Sequence, residues 1–117
     1  MNVFDAVKRK DLTSLKECSS DGTINSQDKN GMTPLMIAID NNDFELVKYI
    51  LGLKINLNVI DKHGQTAIMI AAGRGNTSIV KEILRYKPNL KMKSKSGGTA
   101  YDFAVENGHK EIAKQLS

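Results

Sequence analysis

The chain has 117 residues and a mass of 12.9 kDa, with 40% apolar residues, 26% charged residues and a formal net charge of +4. That is one soluble domain's worth of ordinary composition, and no segment approaches the ~20 apolar residues of a membrane helix. The start, Met1-Asn2-Val3-Phe4-Asp5-Ala6, does not have the basic-then-apolar order of a secretory leader, and the single cysteine, Cys18, excludes an internal disulfide, so a cytoplasmic location is expected.

Taken in chain order, residues 1–27 form a short first unit. Ala6 and Asp11 align with Ala38 and Asp43 further on, which sets Leu12, Leu15 and Cys18 opposite Phe44, Val47 and Ile50 in a buried helical stripe. The unit lacks an entry turn, and Asp5, Lys8, Arg9 and Lys10 make it polar, as a capping unit should be. Its end, Ile24-Asn25-Ser26-Gln27, regains the register of Leu57-Asn58.

Residues 28–60 show the full unit. Asp28 to Met32 is a polar turn with a glycine, a hairpin-like tip. Thr33-Pro34 predicts a helix start, because the threonine hydroxyl can cap free amides and proline has no amide to orphan. Leu35 to Ile39 predicts a short helix covered on most sides, ended by Asn42, which tolerates the left-handed conformation of a tight turn. Asp43 suits the start of a second helix with the stripe Phe44, Leu46, Val47, Ile50 and Leu51, leaving Glu45 and Lys48 to water. An extended run through Ile55-Asn56-Leu57-Asn58 is expected to close the unit.

The pattern then recurs every 33 residues. Asp28-Lys29-Asn30-Gly31-Met32-Thr33-Pro34-Leu35 returns as Asp61-Lys62-His63-Gly64-Gln65-Thr66-Ala67-Ile68 in unit 61–93, and as Ser94-Lys95-Ser96-Gly97-Gly98-Thr99-Ala100-Tyr101 in unit 94–117. Ala38, Ala71 and Ala104 align, implying close helix–helix approach, and Asn42 aligns with Gly75 and Gly108. A fixed period of this length means stacked supersecondary units, none of which can bury its apolar face alone. In the last unit Tyr101, Asp102, Glu106, Lys110, Glu111, Lys114 and Gln115 suggest a polar outer face. A complete small protein or a cleanly bounded domain is expected.

These residues resemble the ankyrin repeat. The likeness rests on Asp28-x-x-Gly31-x-Thr33-Pro34-Leu35-x-x-Ala38, on the Asn/Gly turn, on the aliphatic second helix and on Ile55-Asn56-Leu57-Asn58, across essentially the whole chain. It implies an all-α solenoid of about four helix-turn-helix units in a single domain over 1–117, with 1–27 and 94–117 as caps. Two departures stand out. Met36, Met69 and Asp102 replace the family's usual histidine, and Lys54 and Lys87 stand where glycine usually follows the second helix.

No constellation of catalytic residues emerges. Gly73-Arg74-Gly75-Asn76 superficially suggests a phosphate loop, but no strand precedes it and the register makes it an inter-helix turn. His63 at a tip and His109 at a helix start lie far apart in the stack, without a cysteine pair. His109 follows Gly108 in a structural register position, and Cys18 reads as a small core residue. Asp40, Asp43 and Glu45 divide between a turn and a helix start. A non-enzyme without cofactor or metal is expected.

The resemblance implies contact through the tips and the exposed side of the first helices. Carried over by position, the tip residues are Lys29, Asn30, Met32, Lys62, His63, Gln65, Lys95 and Ser96. Those of the first helices are Lys8, Arg9, Asp40, Asn41, Arg74, Glu106 and Asn107, with Tyr86 as a further aromatic. Plain solvent exposure accounts for any one of them; as a set they make a basic-rimmed ridge suited to a protein partner with an acidic surface. Asp40, Asp102 and Glu106 argue against nucleic acid. A monomeric, non-catalytic protein-interaction module or scaffold is the expected function. A small inhibitor or immunity protein, or a fragment of a larger ankyrin scaffold, are the alternatives.

Overall fold

The computed structural model describes residues 2–19, 23–53 and 55–117; Lys54 lies outside them. Among the described residues, eight α-helices form four helix-turn-helix pairs: α1 (Val3–Lys8) with α2 (Leu12–Cys18), α3 (Pro34–Asp40) with α4 (Phe44–Leu51), α5 (Ala67–Arg74) with α6 (Thr77–Leu84), and α7 (Ala100–Glu106) with α8 (Lys110–Leu116). A 3₁₀ turn spans Thr23–Asn25, and no strand occurs among the described residues. The first helices stack as α1–α3–α5–α7 and the second helices α4–α6–α8 form a parallel layer behind them, in a body of 37 × 25 × 22 Å. The fold is an all-α solenoid.

Local chemistry explains each start and stop. Thr33 caps α3 by accepting from the Met36 amide at 3.2 Å, with Pro34 in the first turn. Asp11 and Asp43 cap the second helices of their pairs, accepting from the amides of Ser14 at 3.0 Å and Leu46 at 3.3 Å. The Ser14 amide and then its hydroxyl, both donating to Asp11, hold that carboxyl below the usual carboxylate range. Between the helices of each pair, Lys10, Asn42, Gly75 and Gly108 all take the left-handed conformation, with φ between 55° and 78°. The turn lets the amides of Asp11, Asp43, Asn76 and His109 reach back to the carbonyls of Ala6, Ala38, Ala71 and Ala104. Those four alanines are 0% exposed, so no larger side chain fits where the helices approach.

The tips repeat one hydrogen-bond pattern. The amide of Asp28 donates to the Met32 carbonyl, Asp61 to Gln65 and Ser94 to Gly98, each at 2.9–3.0 Å. The Asp28 carboxylate accepts from the amides of Asn30 and Met32, and Asp61 does the same for His63 and Gln65, all at 2.9 Å. Ser94, at the same position, pairs its hydroxyl with that of Ser96 at 2.8 Å instead. Successive tips are tied together, Lys62 N–H to the Asn30 carbonyl and Lys95 N–H to the His63 carbonyl, both at 3.0 Å. Gly31 and Gly64 stand at these contacts with φ of +77° and +74°, and a Cβ on either would meet the next tip's backbone at 2.8–2.9 Å.

Three sequence expectations need correction. Leu57-Asn58 is a turn rather than an extended run, since the Asn56 side chain accepts from the Asn58 amide at 2.9 Å. Cys18 is only half-buried, because its pair has a neighbour on one side alone; its thiol faces the Leu15 carbonyl at 3.7 Å. The α7–α8 outer face is not uniformly polar: beside Tyr101, 42% exposed as expected there, the apolar Val105 is 52% exposed. They occupy the register of Ile68 and Ala72, which are exposed by 1% or less in the preceding pair. Met36, in the helix expected to be covered, and Met69 at the same register position are 1% and 2% exposed, and the Thr66 amide donates to the Met69 sulfur at 3.4 Å.

Candidate functional site: a groove along the first helices

Three consecutive units enclose a groove of ≈ 670 Å³ between their tips and their first helices. Eight of the residues expected from sequence line it: Asn30, Met32, Asp40, Lys62, His63, Gln65, Arg74 and Asn107. Its floor is apolar, made of Met69, Ile70, Gly73 and Phe103, with Met32 at one end. None of these floor residues beyond Met32 was expected. Ile70 and Phe103 share a register position 33 residues apart, which could have flagged them. Counted as part of the covered helix core, they show their outer edge only once the neighbouring tips are placed.

The polar groups of the groove are largely spoken for. Arg74 on α5 forms an ion pair with Asp40 on α3, bridging adjacent units across the groove. Asp61, 6% exposed, turns its carboxylate to the tip amides. The Lys62 ammonium donates to the Asn30 side-chain carbonyl at 3.2 Å, and the Asn107 amide to the Phe103 carbonyl at 2.8 Å. Exposed pairs of this kind contribute little stability, about 0–1 kcal/mol each, and are readily exchanged for a partner's groups. His109 lies at the start of α8, with its Nε2 3.2 Å from the Gly73 carbonyl and its ring against Gly75, so it joins two units.

The other expected residues divide. Lys95 and Ser96 line a cleft of ≈ 560 Å³ between the last two tips, together with His63, Gln65 and Ser94. Lys29 is exposed at the first tip, Lys8 and Arg9 at the end of α1, and Glu106 at the end of α7. Asn41 serves as the C-cap of α3. Tyr86 lies apart from the groove, in a pocket of ≈ 210 Å³ with Leu51, Ile55 and Leu57 behind the second helices. It follows α6, so it projects from the layer opposite the first helices.

A stack of short helix pairs with tied turn tips and a groove along its first helices defines the α-solenoid class. Within that class the match is specific: a family model described as ankyrin repeats (3 copies) covers residues 3–90 and, in a second placement, residues 37–117. The chain belongs to the ankyrin-repeat family, with at least three tandem repeats. Among curated proteins none matches the sequence. The ankyrin fold is a non-catalytic scaffold, and among the described residues no group of three or more His, Cys, Asp and Glu side chains is placed to hold a metal ion.

Proposed function

We propose that this protein is an interaction module that holds one protein partner in the groove along its first helices. The groove itself supports this reading, because it joins an apolar floor at Ile70 and Phe103 to a rim of exposed, exchangeable polar groups drawn from three units. Contact areas with an apolar centre and a polar rim are what protein partners use. The module works as a four-unit monomer in the cytoplasm, with the polar first pair and the last pair as its caps.

Affinity capture from the native host's lysate tests the reading, with wild type beside a folded Met32→Ala, Lys62→Ala, His63→Ala, Arg74→Ala variant. A protein held by wild type and lost by the variant is the expected result. A protein held equally by both moves the binding surface elsewhere, and no specific capture by either refutes the module.

A further inference from the structure

We propose that the groove and the adjoining tip cleft recognise an acidic linear segment of a partner protein, with carboxylates against Lys62, His63 and Lys95 and an apolar side chain on Ile70 and Phe103. This rests on the groove being the binding surface and specifies what it accepts. The distribution of charge carries the inference. The tip cleft is lined by His63, Gln65, Ser94, Lys95 and Ser96, without an acidic residue. The two carboxylates of the neighbouring groove are already committed, Asp40 to Arg74 and Asp61 to the tip amides. Among the described residues neither Lys62 nor Lys95 forms an ion pair; Lys62 has only a neutral amide oxygen as its partner.

The stacking then turns single lysines into a row. Lys29, Lys62 and Lys95 occupy one register position and are all exposed, on tips joined by backbone hydrogen bonds. Adjacent packed units lie about 10 Å apart, so the row repels itself only weakly and presents a continuous positive edge. Lys91 and Lys93, just before the last tip in sequence, are also exposed. Opposite charge on a partner would gain from every member of the row and be steered to it.

The occupant's shape follows from the groove's size. A groove of ≈ 670 Å³ running across three units has room for a few consecutive side chains of an extended segment. Seating on Ile70 and Phe103 needs a side chain that reaches between the tips and α5, which a flat anionic lipid surface cannot supply. Nucleic acid would want exposed rings for stacking, whereas Phe103 is half-buried against the core.

The test is selection of random twelve-residue peptides displayed on phage against the full chain. Synthetic copies of the enriched peptides are then titrated against wild type and against folded Lys62→Glu/Lys95→Glu and Ile70→Ala variants. Enrichment of Asp and Glu around an apolar residue is expected. The double charge reversal should weaken binding about tenfold, with affinity falling as salt rises. Peptides without acidic enrichment, or equal binding by the charge-reversal variant, would overturn the proposal. Sensitivity to Ile70→Ala alone would retain the groove as the binding surface while still overturning the acidic preference. Failure to select any peptide overturns recognition of a linear segment and leaves the lysate capture as the separate test of the groove. Equally tight binding of a single-stranded oligothymidylate would reassign the lysine row to nucleic acid.

Discussion

Replacing Gly64 with alanine probes the contact that holds one tip on the next. Gly64 sits at φ +74°, where an L-residue costs about 1–2 kcal/mol, partly offset by the about 0.4–1 kcal/mol that alanine removes from the unfolded chain's freedom. The added Cβ would also lie 2.8 Å from the Lys95 amide nitrogen, which is backbone and cannot swing aside. That amide donates to the His63 carbonyl at 3.0 Å, so displacing it forfeits a hydrogen bond worth about 1 kcal/mol. The total is about 2 kcal/mol. Gly97→Ala is the matched control: its φ is +92°, but nothing lies within 4 Å of the added Cβ, so only the conformational cost remains, about 0.5–1 kcal/mol. Urea titration followed by far-ultraviolet circular dichroism separates the two. The Gly64 variant should lose about 1 M in midpoint at an unchanged slope, and the Gly97 variant less than half of that. Equal losses would refute the reasoning, since they would show that close approach between tips contributes nothing beyond backbone conformation.

Other perturbations follow from the same contacts. Lys87 holds φ +53° after α6, where an L-residue is strained, so Lys87→Gly should raise the urea midpoint by the equivalent of about 0.5–1 kcal/mol. Ala71→Glu places a charge at a fully buried helix contact and should abolish the cooperative transition, while Lys62→Ala should leave stability within about 0.5 kcal/mol of wild type. Asp11 has its pKa lowered in the folded state by the Ser14 amide and hydroxyl, so its contribution is complete above the ordinary carboxylate pKa and is lost as pH falls through the lowered value. Urea midpoints measured from about pH 5 down to about pH 2 should therefore fall less steeply for Asp11→Asn than for wild type.

The ankyrin register was legible because each unit repeats its own local physics. Threonine and proline at a helix start, an Asn or Gly at the left-handed turn and aspartate at the tip act within a few residues of themselves. The 33-residue repetition of those signals therefore specifies helices and turns without reference to the rest of the chain. Lys87 followed the same logic, a residue in a glycine position taking the glycine's conformation. The binding surface was half legible. Rim residues such as Lys62, His63 and Arg74 are exposed and polar, and a register places them. The floor was not, because Ile70 and Phe103 look like core in an apolar helix.

Sequence alone thus determined the helices, their approximate boundaries and the conformations of the tips and of the turns within each pair, since these depend on interactions inside one unit or on the identical contact with the next. The turn at Leu57-Asn58, by contrast, was read as extended. Tertiary structure decided what depends on which neighbours each unit has. Stacking exposed the floor of the groove, joined Arg74 to Asp40 and set Tyr86 on the opposite layer. It also left Tyr101 and Val105 exposed in a register position that is buried one unit earlier. The same register position is core or surface according to whether another unit packs on it, and although the polar end units signal caps, an apolar residue such as Val105 carries no mark of that difference in its own sequence.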